Sequence, residues 1–447
     1  MPIPIITDWE VAQATLLRRH ALDEMSIPQS LQEGITARFG EKLTPAQAVE
    51  KIITAVRSQG DAALREWTTK LDDVDLTQFE IPQERLLEVT AALEPAFVAA
   101  LEQMAHELEQ FHKHQARNSW VDVSAEGSLG QLVVPLQRVG IYVPGGAAPL
   151  PSSLLHAAIP AKVAGVKEII VCSPPQHGKT EPAEIVLAAA AIAGVERVFA
   201  LGGAQAIAAM AFGTESIPKV DKIVGPGNLF VVLAKKAVFG TVGIESLPGP
   251  TETLVIADEN ANPRYVAADL LAQAEHVLAS AILLTPSHEL ANKVQAELAQ
   301  QLAALPQPNA RDAAEALAQR SGIVLVPDLA TAFILANEYA PEHLCLLIAQ
   351  PWDYVGQVQN AGGIFLGEQS FEVLGDYVAG PSHIMPTNGT ARYASPVNVD
   401  DFRKVISLVG LNAAGLKRIG PAAMRLATEE GLFAHAAAVR LRLEEKS

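Results

Sequence analysis

Gln273 and His276 interrupt an apolar run at Leu270–Ser280, LLAQAEHVLAS, and stand three residues apart. On a helix that spacing puts both side chains on one face. Imidazole is the commonest protein metal ligand and an amide is an uncommon one, so on spacing alone the polar end of an amphipathic helix is the better account. At PEHL (341–344), Glu342 and His343 stand side by side before a strand-like run. Neighbours in extended chain point opposite ways, but in a loop they converge, and a Glu–His pair suits proton transfer near neutral pH. GDYVAGPSH (375–383) brings Asp376 and His383 into one Gly/Pro loop, and EEGLFAH (429–435) sets Glu430 and His435 near a C-terminal helix. Asp and His both ligate zinc well. GGAQA (202–206) and GPGN (225–228) each follow a strand-like run. Glycines at the carboxyl ends of strands let backbone approach a ligand, with Gln205 or Asn228 to bond ribose or nicotinamide groups, although Gly also marks ordinary turns. His112 and His114 read as helix surface, and His20, His106, His156, His177 and His288 lack an acidic or glycine-rich setting.

Elements must hold these groups in place. Up to about residue 120 the pattern is mostly helical, with Thr44 and Pro45 opening one helix and another running from about Pro82 to His114. From Gln137 short β-rich runs alternate with Ala-rich helices: VGIYV (139–143), EIIVC (168–172), VFAL (198–201) and DKIVGPGN. A second series comprises TLVIAD (253–258), AILLT (281–285), GIVLVP (322–327) and HLCLLI (343–348). Such alternation predicts parallel sheets with helices on both faces. Asn262 and Pro263 open the helix that carries Gln273.

Composition narrows the class. The 447 residues are 49% hydrophobic but only 5% aromatic, so the core is aliphatic and Ala-rich. Lys and Arg number 33 against 50 Asp and Glu, a net charge of −17 that disfavours phosphate backbones; no nucleic-acid partner is expected. Cys172 and Cys345 lie in apolar runs and read as buried, reduced thiols. The most apolar stretch, Ile185–Val195, is too short to span a bilayer, and the N-terminus has no signal pattern; a soluble, cytoplasmic protein is expected. The GxGxxG fingerprint, the phosphate loop, the GxSxG elbow and HExxH are absent from the sequence.

Taken in order, RVGIYVPGG, LGGAQAIAAMAFGTESIPKVDKIVGPGN, GPTETLVIAD, LLAQAEH, YAPEHL, GDYVAGPSHIMPT and EEGLFAH resemble the histidinol dehydrogenase family over nearly the whole chain. The resemblance implies oxidation of L-histidinol to L-histidine through the aldehyde, the last step of histidine biosynthesis, with two NAD+ and one Zn2+ per subunit. Carried over by motif, it implies Gln273, His276, Asp376 and His435 as metal ligands, and Glu342 and His343 as the acid–base pair. Thr251, His383 and Glu430 would contact substrate beside the four ligands and His343; Tyr142, Gln205 and Asn228 would contact NAD. It implies a homodimer in which His435 and Glu430 reach the partner's site. The implied fold is two Rossmann-like doubly wound α/β domains, the nucleotide-binding fold incomplete, with small helical N- and C-terminal segments. The expected division is an arm at 1–34, a discontinuous first domain at 35–138 and 250–394, an NAD-side domain at 139–249 and a dimerisation piece at 395–447.

Three departures stand out. Thr251 replaces the family's usual Ser and keeps the hydroxyl. IESLPGPTE replaces IDxxAGPSE, altering an acid at Glu245 and a small residue at Pro248. After His276 comes Val277 where the family has Asp, and the stretch to ILLT is one residue short. An Asp there can cap the helix or steady the ligand, so the turn bears on how His276 reaches a metal. A family relative acting on another small polar alcohol, or a weakened paralogue, stays open at this point. Cys345 is disfavoured as a nucleophile because apolar flanks raise a thiol pKa.

Overall fold

The computed structural model describes residues 3–19, 29–145, 149–276 and 278–444. Two six-stranded sheets dominate. In the first, Ile5–Ile6, Gly322–Leu325, Ser280–Thr285, Glu252–Ala257, His343–Leu347 and Gly363–Leu366 lie side by side, all parallel. In the second the order is Glu80–Ile81, Arg197–Ala200, Glu168–Ser173, Arg138–Tyr142, Lys222–Val224 and Gly243–Ile244, with only the Glu80–Ile81 edge antiparallel. Leaving aside the added edge strand of each, both sheets run third–second–first–fourth–fifth. That is the doubly wound order without its sixth strand.

Strand alternation builds the core of the first sheet. Val255, Leu283, Ile323 and Cys345 face one layer of helices, while Leu254, Ile282, Val324 and Leu344 face the other. The second sheet is buried under Ala-rich helices, Pro151–Ala164, Glu184–Ala193 and Gly203–Phe212, whose small side chains let helix approach strand closely. Both cysteines are free and buried; burial pushes the Cys172 thiol up to about 12 and Cys345 well above its usual range. Among the described residues no helix is long and apolar enough to cross a membrane.

Residues 35–138 do not join 250–394 as expected. The helices Pro45–Gln59, Gln83–Ala92 and Pro95–Lys113 place Val49, Ile52, Leu86 and Leu108 in the same core as Val139, Ile170 and Ala208. Their apolar stripes pack against the Ala-rich helices of the second sheet. The helix expected at 82–114 is two helices, because Pro95 disfavours helical backbone at Glu94. Thr44 caps as read, in a reciprocal box with Gln47. The N-terminal arm contributes a strand, Ile5–Ile6, besides its helix Trp9–Ala14. The C-terminal piece is not wholly helical: Arg403–Leu411 pairs antiparallel with Gly127–Pro135, and Trp120–Ser124 completes a small third sheet. From there Ala413–Glu429 and Phe433–Glu444 extend with little burial.

The altered acid Glu245 has a partner. Lys235 is fully buried; its Nζ lies 2.6 and 2.7 Å from the two Glu245 oxygens and donates to the Gly225 carbonyl at 3.1 Å. Burial pulls Lys235 below the ordinary lysine range against the pull of Glu245. Gly225 donates its own N–H to Glu245 at 2.8 Å, and its φ of +124° with Tyr142 O only 2.1 Å from an added Cβ admits no side chain. The pair thus anchors the GPGN loop. K235M, which strands the Glu245 carboxylate, should cost about 3–5 kcal/mol of unfolding free energy in urea. The double variant K235M/E245L should recover more than half of that loss.

Candidate active site

Glu342 and His343 lie at the amino ends of two neighbouring strands of the first sheet, where Thr253 is in register with His343. Glu342 Oε2 accepts from Thr251 Oγ1 at 2.5 Å and from the Glu252 N–H at 3.0 Å. The Glu252 carbonyl accepts from His343 Nδ1 at 3.3 Å. A carbonyl only accepts, so Nδ1 carries a proton, and Nε2 is the nitrogen that offers a lone pair whenever the imidazole is neutral. Nε2 is buried, has no hydrogen bond, and stands 3.7 Å from Asp376 Oδ1. Burial raises the Glu342 carboxyl to about 7 against the pull of His343. Burial alone would lower His343; the carboxylates of Glu342, Asp376 and Glu372 overturn that and draw it up to about 10. Glu252 is itself fixed: its carboxylate pairs with Arg19, accepts the Asn388 N–H at 3.1 Å, and Arg19 lies 3.5 Å over the Tyr339 ring.

Gln273 ends the helix Pro263–Ala274, which Asn262 and Pro263 open as read, and is buried. Gln273 Oε1 lies 2.9 Å from Thr253 Oγ1, which also donates to Glu372. One hydroxyl has one proton. If Glu372 takes it, Thr253 must accept from the Gln273 amide nitrogen, so the two amide atoms exchange places. The amide atom without a partner, placed as Nε2, is then the carbonyl oxygen. In that arrangement a buried acceptor is left open on a helix packed against the helix of Asp376, an atom a cation can use, and the residues present fit zinc.

His276 is exposed just past the helix end, and its charge is felt by Asp376 and His383. Val277 lies outside the described residues. The turn closes with the Ala279 N–H on the His276 carbonyl at 3.2 Å, and Leu278 sits at φ +62°, a left-handed backbone unusual for Leu. Asp376, on the helix Glu372–Tyr377, is half-buried; burial works to raise its carboxyl, but His343 above all holds it below the usual range. His383 donates from Nδ1 to the Asp376 carbonyl at 2.9 Å, so Nε2 accepts from Ser153 Oγ at 3.0 Å. Burial keeps this imidazole neutral. Glu430 and His435 lie exposed on the C-terminal helices; among the described residues neither side chain bonds any member of the cluster. Nor do the described residues contain a group of three His, Cys, Asp or Glu side chains poised for a metal. One chain gathers Gln273, His276 and Asp376, and His435 stands apart.

Tyr142, Gln205 and Asn228 line one cavity of about 770 Å³ at the carboxyl ends of the second sheet's strands. Tyr142 Oη accepts the Gly203 N–H at 3.1 Å, and Asn228 Oδ1 caps the helix Leu229–Val238. Burial pushes the Tyr142 phenol up to about 12.

Sequence reasoning missed four side chains. Thr253 and Glu372 complete the Gln273 relay; Glu372 is four residues before Asp376, one helical turn away. His156 and Ser153, on the helix Pro151–Ala164, grip His383. The two imidazoles stack 4.1 Å apart at 8°, and His156 Nδ1 accepts the His383 N–H at 3.1 Å. His156 stands in an apolar helix with nothing beside it in sequence to mark it.

The profile of the histidinol dehydrogenase family matches residues 39–443. The chain is 54% identical to a histidinol dehydrogenase of Deinococcus radiodurans, covering 97% of this chain and 98% of that one. It is 50% identical to one from Thermus thermophilus, over 92% and 98%. The crystal structure of a histidinol dehydrogenase from Elizabethkingia anophelis superposes with a TM-score of 0.88 at 34% identity, over 99% of this chain and 98% of that one.

The Gln273 relay predicts a metal phenotype. T253V and E372Q, which break it without touching the ligands, should weaken zinc affinity about 10–100-fold in chelator competition, with helix content unchanged. Zinc bound as tightly as in the parent would sink the relay.

Proposed function

The chain belongs to the histidinol dehydrogenase family, and we propose that its Glu342–His343 site oxidises L-histidinol to L-histidine through L-histidinal. The observation that carries this reading is the buried, unbonded Nε2 of His343, 3.7 Å from Asp376, beside a Glu342 carboxylate held by Thr251 and the Glu252 N–H. Bound zinc, held by Gln273, His276, Asp376 and the partner subunit's His435, would fix the imidazole and amino nitrogens of histidinol, while two NAD+ in turn would take up the two hydrides. With Asp376 committed to the metal, His343 would keep fewer of the carboxylates that raise it and would be the readier to accept a proton. His343 Nε2 then takes the alcohol proton, and its Nδ1–H stays on the Glu252 carbonyl throughout. Glu342, raised to about 7, is poised to draw a proton from the water that hydrates the aldehyde. Thr251 and Glu252 load only Oε2, so Oε1 faces that task without a donor among the described residues. His343 serves again as base for the second oxidation. Thr251, His383 and Glu430 orient the substrate, and Tyr142, Gln205 and Asn228 the cofactor. Cys345, buried and raised in pKa, takes no part.

The site needs a second copy of the chain. Val123, Val409, Leu426, Phe433 and Leu441 are between 61% and 73% exposed on the C-terminal piece and the strand beside it. An uncovered apolar face of this kind marks an interface. In a two-fold dimer it delivers His435 and Glu430 to the partner's cluster. A cytoplasmic, reducing setting suits the two buried free thiols.

Parent enzyme should release two NADH per histidinol and lose turnover to a strong chelator. E342Q should slow oxidation of supplied histidinal about 100–1,000-fold and drop the yield toward one NADH per histidinol. Two NADH from E342Q would remove Glu342 from the second step. Co-expression of E342Q with H435N tests the shared site. Random pairing leaves one intact site in each mixed dimer, so about a quarter of parental histidinal oxidation should return from two chains that each lack it. No recovery would mean that His435 serves its own subunit.

A further inference from the structure

Asp72 lines the same cavity as Tyr142, Gln205 and Asn228, but comes from outside the sheet, at the end of the helix Asp61–Asp72. Gln205, fully buried, donates from Nε2 to Asp72 Oδ2 at 3.2 Å, and its Oε1 is buried without a partner. Asp72 Oδ1 has no donor and the carboxylate no ion pair among the described residues. Arg38, on the exposed side of the helix Gln29–Phe39, lines the cavity too and pulls the carboxyl down; burial pulls harder and raises it to about 6, so it is ionised at neutral pH. A carboxylate only accepts hydrogen bonds. Half-buried, with one neutral donor, it calls for hydroxyl groups from whatever fills the cavity. Its two oxygens match two neighbouring hydroxyls, the arrangement a ribose offers. In dinucleotide folds an acid takes that role from the sheet itself, after the GxGxxG turn that this chain lacks.

We propose that Asp72, with the Gln205 amide behind it, binds a ribose diol of the dinucleotide. The proposal rests on the reading of this cavity as the NAD site. It makes Asp72 a cofactor-binding residue fixed from the helical layer rather than from the sheet.

Binding of NAD+ and NADP+ to zinc-loaded enzyme without histidinol, followed by calorimetry for the parent, D72N, D72E and N228A, tests it. D72N should weaken NAD+ about tenfold, a loss of about 1.4 kcal/mol, and D72E should regain part of it. If the diol belongs to the adenosine half, the parent rejects NADP+ and D72N narrows the NAD+/NADP+ ratio about tenfold, because the 2′-phosphate no longer meets a carboxylate. If it belongs to the nicotinamide half, D72N weakens both dinucleotides alike. D72N binding NAD+ within about twofold of the parent, while N228A loses affinity, overturns the proposal and leaves the cofactor cavity standing. If neither variant moves NAD+ affinity, the cavity reading falls and Asp72 with it.

Discussion

Glu252 commits both of its main-chain polar groups to the proposed acid–base pair: its N–H to Glu342 and its carbonyl to His343. Both side chains are therefore positioned by one peptide segment at the start of a central strand. The parallel register of Thr253 with His343 decides whether those bonds can form. A slip of one residue would turn the whole strand over and send both side chains into opposite helical layers. The Arg19 bond to the Glu252 side chain extends the same constraint to the N-terminal arm.

The two doubly wound sheets are used at opposite ends. The cavity proposed for the cofactor opens where ligands usually bind in such folds, beyond the carboxyl ends of the strands. Glu342 and His343 sit at the amino ends of the first sheet, a place that rule does not point to. Helix direction explains why. The helix Pro263–Ala274 runs back from its strand, so its carboxyl end, with Gln273, arrives beside the amino ends of the strands. Deep strand positions are closed by apolar alternation, which leaves these ends as the polar positions with buried neighbours.

Much of this was legible in the sequence, because β-α alternation and capping are local signals. Thr44, Asn262 and both strand series stand as read. Residues 35–138 were misassigned because an amphipathic stripe says that a helix buries one face, not which core receives it. The candidate site was half legible. Motifs marked Glu342, His343, Asp376 and the glycine loops, while Thr253, Glu372, Asp72 and His156 gain their meaning from neighbours 20 to 227 residues away. No pattern along the chain encodes such proximity.

The stacked imidazoles of His156 and His383 join a helix of the cofactor sheet to the loop beside Asp376. Ile384, next in the chain, and Val397, Val399 and Phe402 further along bury themselves in the core of the second sheet. Swinging the two halves apart would tear this seam open and wet an apolar core. A turnover that consumes two dinucleotides, as proposed, would exchange the first through the mouth of a cavity that keeps its walls. The half-oxidised substrate would then hold its place on the first sheet while the nucleotide is replaced.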